Sequence, residues 1–342
     1  MTIMIILSNS MTPAADEGSL KLATSIVTRI RKAREDTCVV SFERDFSQSD
    51  VHLQLNKFHL SPELIKLLRK KREALLYIPF PAPTLSMAIR IFLLSVFARY
   101  GFKVLMIRQY SMGKLARLLL RCSGAKLVVF SQQADAYYRS IVGDRVTYLK
   151  TGVDTRKFQP VSTEEVRALK CKYGFDPDKP LVVHVGHMKV GRNVAALKEI
   201  SSDYQVLLVI STLSKERQDE HLRREIESGG IIKVFDQYIP NIEEIYQMCD
   251  VYIFPVQQEG HCIDVPLSCL EAAACGKPVL TTDFGEMRAF RGKPGFFHIE
   301  GFSTKVLNMQ IAQILQTEEC KSRQQVLPYD WQRSIQELTR DM

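Results

Sequence analysis

The chain has 342 residues, of which 46% are hydrophobic and 25% are charged, and its formal net charge is +8 at pH 7. These values exclude a disordered or fibrous chain and are typical of a globular protein of about two domains. No apolar run reaches the ~18 residues of a membrane-spanning helix, and the short apolar start lacks the basic residues of a signal peptide.

The cysteines predict free thiols rather than a metal site. The chain has eight of them, and no two form a C-x-x-C pair. Zinc sites usually contain such close pairs, so the sequence predicts no zinc site. Several cysteines lie among apolar residues, as free core thiols do. Free thiols persist in a reducing compartment, and we therefore expect a cytoplasmic protein.

Apolar segments typical of buried strands alternate with helical segments through the first half of the chain. In order, these segments are IMIIL, TCVVSF, ALLYIPF, FKVLMIR, KLVVFS and VTYL. They are apolar at consecutive positions rather than at alternate ones, which indicates strands buried on both faces. This pattern predicts a parallel sheet between two layers of helices.

A second set of strand segments follows in the other half: PLVVHVG, YQVLLVIS, IIKVF, DVYIFPV and PVLTTD. The polar, proline-containing stretch 152–180 separates the two sets and indicates a domain boundary. We predict an α/β fold of two Rossmann-like, doubly wound domains, 1–160 and 161–328, that face a cleft. The last segment, 329–342, carries Trp331, Ile335 and Leu338 on one helical face and is predicted to pack back on the first domain.

A segment of the first half combines apolar and basic residues. Its helical stripe consists of Leu85, Ala88, Phe92, Val96 and Tyr100, and the basic residues are Arg90, Arg99, Arg108, Lys114, Arg117 and Arg121. The segment fits a surface that contacts an anionic membrane. The alternative, which suits the helix itself better, is a core helix followed by solvated basic residues. The net charge suits a nucleotide-sugar ligand or an anionic membrane, and no motif points to a nucleic acid.

Five segments occur in the order found in a known enzyme family. They are SNSMTPAADEGSLKLA at 8–23, TGVDTRKFQP at 151–160, VVHVGHMKVGRNVAAL at 182–197, the segment 238–286 that includes CLEAAACGKPV, and the ending YDWQRS. Over almost its whole length the chain resembles the retaining nucleotide-sugar glycosyltransferases of family 4, which have the two-Rossmann architecture called GT-B. The resemblance implies a nucleotide-sugar substrate, and no metal or other cofactor is expected.

The resemblance implies that the helix after the FP strand holds the nucleotide sugar. Its N-terminus, at Pro266, Leu267 and Ser268, would present N–H groups and a positive dipole end to the diphosphate. Proline suits the first turn of a helix, and Gly276 suits its C-terminal end. Glu271 matches the second glutamate of the family's Glu-x7-Glu pattern, which accepts hydrogen bonds from the ribose hydroxyls. The alternative is a purely structural glutamate.

The first glutamate of that pattern has two candidate replacements. Residue 263, eight positions before Glu271, is an isoleucine. Asp264 follows it directly, and Glu259 belongs to an earlier Glu-Gly pair. In the family this carboxylate holds sugar hydroxyls near the reacting carbon, so Asp264 and Glu259 are both candidate catalytic residues. The alternative for either residue is a solvent-exposed acidic side chain in a loop, with no role in the site.

The family has an arginine directly after the glycine of a VG pair and a lysine five residues later, and both bind the diphosphate. Here His187 stands at the arginine position and Arg192 at the lysine position, with Lys189 between them. Permanent positive charge stabilises a leaving diphosphate, and an arginine can hold it through two hydrogen bonds. Arg192 and Lys189 are therefore predicted catalytic residues, and His187 is a binding candidate. The alternative is exposed loop charges.

The remaining candidates lie in two turns. The family contacts the nucleoside base through main-chain groups of the turn FDQYIPN, which makes Tyr238 and Ile239 candidates, although Tyr238 also fits a core aromatic. In the segment DEGSLKLA, Gly18 permits close approach of the backbone to a ligand, and Ser19 can cap the following helix. A simple strand-to-helix turn explains that segment equally well.

The histidine that many family members carry in the first domain is missing from YIPFPAPTL. Its absence fits retention by a mechanism in which the leaving phosphate deprotonates the acceptor. The expected partners are a nucleotide-sugar donor and a saccharide or lipid-linked acceptor of polysaccharide, lipopolysaccharide or glycolipid synthesis, with peripheral membrane contact. Two alternatives stay open: a nucleotide-sugar epimerase on the same fold, and an inactive partner subunit.

Overall fold

The chain forms two compact units, one of Met1–Lys150 with Gln332–Met342 and the other of Thr151–Trp331. A computed structural model describes most of both. The described ranges are 4–8, 18–42, 49–70, 74–79, 84–98, 101–107, 111–188, 190–210, 219–258 and 262–340.

The first unit is built on a parallel sheet. Its described strands are β1 (Met4–Ser8), β2 (Thr37–Ser41), β3 (Val51–His52), β4 (Ala74–Ile78), β5 (Phe102–Met106), β6 (Lys126–Val129) and β7 (Val146–Tyr148). The helices between them are α1 (Gly18–Ala33), α2 (Pro62–Lys70), α3 (Thr84–Phe97), α4 (Lys114–Cys122) and α5 (Gln132–Val142). The strand order across the sheet is β3-β2-β1-β4-β5-β6-β7.

Burial on both faces explains why these strands were readable from the sequence. All residues of β1, β4 and β5 are buried, as expected for strands covered by helices on each side. Helix α1 packs beside β2 and buries Leu22, Ile26 and Ile30, which recur every four residues on one face. Each of the six predicted segments contains one strand of this sheet. The additional strand, β3, is a two-residue edge strand, too short to leave an apolar run in the sequence.

The second unit contains a second parallel sheet. Its described strands are β8 (Leu181–Gly186), β9 (Gln205–Ile210), β10 (Ile232–Phe235), β11 (Val251–Phe254), β12 (Val279–Thr281) and β13 (Phe296–His298). Its helices are α6 (Thr163–Lys172), α7 (Glu220–Ser228), α8 (Ile242–Met248), α9 (Leu267–Ala274), α10 (Thr304–Leu315) and α11 (Ser322–Val326). The strand order is β10-β9-β8-β11-β12-β13. The five predicted segments each contain one strand, and the edge strand β13 is additional. The predicted class, α/β with two doubly wound parallel sheets, is confirmed.

The last helix, α12 (Trp331–Thr339), buries the stripe read from the sequence, Trp331, Ile335 and Leu338. A buried lysine of β5 holds its C-terminal end, because Lys103 Nζ donates to the Leu338 carbonyl oxygen at 2.7 Å. A positive charge at this position satisfies a terminal carbonyl and opposes the negative end of the helix dipole.

The described residues contain neither a membrane-crossing helix nor a metal-ligand cluster. No described helix combines the length and the apolar character needed to cross a bilayer. In the same part of the chain, no three His, Cys, Asp or Glu side chains are grouped closely enough to hold a metal ion. All eight cysteines are free thiols, and Cys249, Cys262, Cys269 and Cys275 are buried.

A buried ion pair joins α6 to the amino ends of β8 and β11. The Nζ atom of Lys170, a residue that is 4% exposed, donates to Asp250 Oδ2 at 2.7 Å and to the Lys179 carbonyl at 3.1 Å. The same carboxylate oxygen accepts the Leu181 N–H at 2.7 Å. The ammonium is therefore more dependent on the pair than the carboxylate, which retains a backbone donor and is partly solvated.

We expect Asp250→Ala to lower the free energy of unfolding by about 3 kcal/mol or more, because it leaves a buried ammonium without its counter-charge. Lys170→Met should lower it less, since Asp250 keeps the Leu181 N–H. Urea unfolding of both variants tests this order. Arg167→Ala, which removes the exposed partner of Asp178, is the control and should change stability little. Equal losses in Asp250→Ala and Arg167→Ala would contradict the prediction.

Candidate functional site

The strand order of the second sheet reverses between β8 and β11, and sheets of this kind bind ligands at the carboxyl ends of the strands beside such a reversal. The β8–β11 register ends with Val183 opposite Tyr252. Beyond it, side chains bind the backbone carbonyls. His184 Nδ1 lies 2.8 Å from the Ile253 oxygen, and the Tyr252 hydroxyl donates to the Val185 oxygen at 3.3 Å. The strands therefore separate here without leaving these carbonyls unpaired.

His184 lies at the centre of this crevice and is completely buried. Its ring stacks on Tyr252, with the ring centroids 6.4 Å apart. Burial lowers the pKa of His184 to about 4; the Ile253 carbonyl opposes this shift, and the positive charge of Arg192 adds to it. The ring is therefore neutral at physiological pH. Because a carbonyl can only accept, Nδ1 carries the hydrogen and Nε2 is an acceptor.

Arg192, predicted to bind the diphosphate, lies in the 3-10 turn Val190–Arg192 that follows β8, and it is only 8% exposed. It is therefore not an exposed loop charge. A Cβ atom at Gly186, the last residue of β8, would lie 2.8 Å from His184 Nε2 and 3.0 Å from Arg192 Nη1. Glycine leaves room for the imidazole and the guanidinium at the same point.

The other two candidates of this loop differ in what the structure describes. His187 directly follows β8 and is 6% exposed, so its imidazole is part of the interior. Lys189 lies outside the described residues and stays a prediction. Val190, the next residue, is 67% exposed, and the chain thus reaches the surface briefly before Arg192 turns inward.

Helix α9 begins at Leu267, and Pro266 precedes it with the extended angles φ −66° and ψ 100°. The predicted start at Pro266 is corrected by one residue. Every residue of the helix is buried except Ser268, which is partly exposed and interacts with the Tyr252 hydroxyl. Gly276 ends the helix as predicted, with φ 77°. The amino end of α9 therefore lies next to the crevice between β8 and β11.

Glu271 is a buried carboxylate, 2% exposed, in the middle of α9. It is hydrogen-bonded to Tyr246 of α8; burial raises the pKa of that tyrosine well above its usual value, and the negative charge of Glu271 adds to the shift. The Tyr246 ring meets the Tyr252 ring edge to face at 5.7 Å. Two tyrosine rings thus connect Glu271 to the crevice where His184 and Arg192 lie.

Asp264 lies in a loop that backbone contacts hold firmly. Its carbonyl accepts the Glu286 N–H at 2.8 Å. Gly285 has φ 49°, and a Cβ atom there would lie 2.2 Å from the Asp264 carbonyl oxygen, so only glycine fits. Glu286 is 1% exposed and accepts the Tyr329 hydroxyl at 2.5 Å. Glu259 lies outside the described residues, and both carboxylates remain candidates.

Tyr238 and Ile239 follow β10 on the same carboxyl edge of the sheet. Tyr238 is 56% exposed, so it is not the core aromatic that the sequence also allowed. Ile239 is half-buried. An exposed aromatic ring beside a sheet edge can pack against the flat face of a ligand.

Gly18 belongs to the first unit, where it is the first described residue of α1. Ser19 is 2% exposed and already lies in the first turn of the helix. The predicted role of Ser19 as the N-cap is therefore wrong, since an N-cap residue precedes the first helical residue.

Two predicted features, Arg192 and the amino end of α9, lie beside one crevice, and Glu271 is connected to it through Tyr246 and Tyr252. The structure adds His184, Tyr246 and Tyr252, which the sequence reasoning missed. His184 left a readable signal, because it is the one polar side chain in the buried strand LVVHVG. The two tyrosines left none, since each one also fits an ordinary core aromatic.

We expect Gly186→Ala to weaken nucleoside diphosphate binding about tenfold or more, because the added carbon would lie within 3.0 Å of both His184 and Arg192. Calorimetric titration with UDP, GDP and ADP measures the effect. Gly113→Ala is the matched control, because a Cβ atom there meets nothing within 4 Å. Unchanged affinity in Gly186→Ala would show that the contact at β8 does not shape the site.

The region that contains this crevice is similar to a known protein family. The profile of the family Glycosyl transferases group 1 matches residues 179–317, which contain β8, α9 and the crevice. The alpha-galactosylglucosyldiacylglycerol synthase of Streptococcus pneumoniae is 22% identical over 288 residues, which make up 80% of this chain and 71% of that protein.

Solved structures share the fold over nearly the whole chain. A glycosyltransferase from Rickettsia africae superposes with a TM-score of 0.79 at 16% identity, covering 99% of this chain and 97% of that one. Anabaena HepE in complex with UDP superposes with a TM-score of 0.77 at 14% identity, covering 99% of both chains. These matches favour neither the epimerase nor the inactive subunit. Together these similarities support a glycosyltransferase of the family 4 type with the GT-B fold.

Proposed function

We propose that this glycosyltransferase moves a sugar from a nucleotide-sugar donor to an acceptor hydroxyl with retention of the anomeric configuration. One observation supports the proposal: Arg192 and the amino end of α9 lie where β8 and β11 separate, and Glu271 is linked to this point through Tyr246 and Tyr252. A positive side chain, a helix N-terminus and a carboxylate are the groups that a diphosphate and a ribose require.

The diphosphate binds between Arg192 and the amino end of α9. The guanidinium supplies permanent charge and paired N–H donors in a buried setting, where electrostatic interactions are stronger than in water. Backbone N–H groups around Leu267 and Ser268 add the positive end of the helix dipole. Lys189 and His187 are neighbouring candidates on the same loop. These groups stabilise the charge that grows on the diphosphate as the glycosidic bond breaks.

Glu271 binds the ribose hydroxyls. An ionised carboxylate offers about four acceptor positions, so the Tyr246 hydroxyl uses only part of its capacity and also orients it. The exposed ring of Tyr238 and the main chain of Ile239 are the candidates for contact with the base. Asp264 or Glu259 holds the hydroxyls of the transferred sugar. In the retaining mechanism the departing phosphate takes the proton of the acceptor on the same face of the sugar.

The acceptor is proposed to be a lipid-linked saccharide of glycolipid or cell-surface polysaccharide synthesis in the cytoplasm. The name of the streptococcal relative, a synthase of a glycosylated diacylglycerol, supports this class of acceptor. UDP is the first nucleotide to test, since HepE was crystallised with it.

We expect Arg192→Ala to lower kcat about 100-fold, because it removes charge stabilisation of the leaving diphosphate. Glu271→Gln should raise the KM for the donor about tenfold with a smaller effect on kcat, because it weakens a contact to a part of the donor that does not react. A thermal-shift screen of UDP-, GDP- and ADP-sugars selects the donor. Release of the nucleoside diphosphate with extracted glycolipid as acceptor then gives the rates, and NMR of the product linkage tests retention.

Arg167→Ala, on the exposed surface of α6, is the control variant and should keep both constants. Unchanged kinetics in Arg192→Ala and Glu271→Gln would overturn the assignment of the site. An isomerised sugar formed from the donor without acceptor would indicate the epimerase. Failure of every nucleotide to bind the wild-type protein would indicate an inactive partner subunit.

The proposed membrane contact lies on α4. Its outer face combines exposed leucines, Leu115 at 57% and Leu118 at 55%, with the exposed basic residues Lys114, Arg117 and Arg121. On the opposite side of the same helix, Ala116 and Leu120 are buried. Such a face suits a surface of anionic lipid, where leucines enter the headgroup boundary and basic residues meet the charge.

The apolar stripe that the sequence predicts on α3 is a weaker candidate for the membrane contact. Met87, Ala88, Ile91 and Leu94 form the buried side of α3. Leu85 and Val96 remain exposed, at 42% and 62%, whereas Tyr100, Arg99 and Arg108 lie outside the described residues. The helix is therefore partly a core helix, and the outer face of α4 is the better candidate.

We expect the protein to sediment with vesicles that contain phosphatidylglycerol and not with pure phosphatidylcholine vesicles, because binding needs anionic charge. The double variant Leu115→Ser, Leu118→Ser should lose most of this binding. Met309→Ser removes an apolar side chain of α10 that is 47% exposed and is the control. Binding that ignores lipid charge, or that survives in the double variant, would contradict a membrane contact at α4.

A further inference from the structure

The protein contains a buried hydrogen-bond acceptor whose role the fold alone does not explain. His184 is completely buried, and its Nδ1–H donates to the Ile253 carbonyl. This bond fixes the ring and leaves Nε2 with a lone pair. Nε2 has no hydrogen-bond partner among the described residues. A buried acceptor without a partner is unfavourable, so the free lone pair of Nε2 requires an explanation.

The neighbourhood of Nε2 identifies that partner. The position of a Cβ atom on Gly186 lies 2.8 Å from Nε2 and 3.0 Å from Arg192 Nη1. Both nitrogens therefore lie close to the same point at the carboxyl end of β8. Because Gly186 has no side chain, this point is unoccupied. Both nitrogens lie within 3.0 Å of that point, so a shift of the flexible guanidinium can bring one of its N–H groups to the imidazole. The guanidinium has five N–H donors, enough to bind a phosphate and the imidazole together.

We propose that His184 is a positioning residue that accepts an N–H of Arg192 and so aims the guanidinium at the diphosphate of the bound nucleotide. The inference rests on the proposed function, because it assigns His184 a role through the diphosphate ligand Arg192. His184 does not touch the substrate itself, since it is completely buried.

A neutral partner suits this task better than an acidic one. A carboxylate beside Arg192 would cancel the charge that the diphosphate needs, whereas an imidazole orients the guanidinium and leaves its charge intact. Burial keeps His184 in the neutral form, and the Arg192 charge acts in the same direction. The bond to Ile253 sets the tautomer, so the acceptor nitrogen always faces Gly186 and Arg192.

The test is a double-mutant cycle on nucleotide binding. The probe is whichever of UDP, GDP and ADP binds the wild-type protein most tightly by calorimetry. His184→Phe fills the same space without an acceptor and should weaken binding about tenfold, the loss expected for one hydrogen bond to a charged group. In an Arg192→Ala background the same change should have no further effect, because His184 acts only through Arg192.

Two further measurements separate positioning from a general disturbance of the site. His184→Gln offers an amide oxygen near the place of Nε2 and should recover most of the affinity. The matching nucleoside, which lacks the diphosphate, should bind wild type and His184→Phe equally well in an NMR titration. If His184→Phe does not fold, the comparison of His184→Gln with His184→Met supplies the same contrast.

Wild-type affinity in His184→Phe, or additive losses in the double variant, would overturn the inference while leaving the proposed function intact. Equal weakening of the nucleoside would also overturn it, because that result indicates a structural role. If none of the three diphosphates binds the wild-type protein, the proposed function itself fails.

Discussion

The hydrogen bond between the His184 imidazole and the Ile253 carbonyl is the interaction on which the site depends. Parallel strands that separate must release backbone groups from their ladder, and buried groups without partners are strongly unfavourable. At the carboxyl ends of β8 and β11, side chains from the two strands replace the ladder, since the Tyr252 hydroxyl binds the Val185 carbonyl as well. The two strands can therefore separate and form a crevice without leaving these buried carbonyls unpaired. The position of Gly186 in this opening then decides how closely the following loop approaches the sheet.

The charges around this crevice are arranged so that neutral groups lie beside them. Arg192 is nearly buried next to an uncharged imidazole, and Glu271 is nearly buried next to the Tyr246 hydroxyl. A neutral partner orients an ionised side chain without cancelling its charge, which suits the binding of a diphosphate and of hydroxyl groups. Gly285 allows two neighbouring loops to approach closely, because a side chain at this position would collide with the Asp264 backbone.

Much of the fold was predictable because the strands are buried on both faces. Such strands leave continuous apolar runs, and each of the eleven runs read from the sequence contains one strand. The two strands that were missed, β3 and β13, are both edge strands, of two and three residues. The errors at Pro266 and Ser19 are errors of one and two residues at helix ends, where sequence preferences for neighbouring positions overlap.

The sequence by itself determined the alternation of strands and helices, the division into two sheets and the motifs that mark the glycosyltransferase family. These features follow from local periodicity and from residues close together in the chain. Only the tertiary structure decided that His184, Tyr246 and Tyr252 link Arg192 to Glu271, since these residues come from three stretches of the chain, 184–192, 246–252 and the helix of Glu271. Their meeting depends on the strand order of the sheet and on side-chain packing, and neither has a local signature. The same holds for the outer face of α4, because only packing decides which leucines remain exposed.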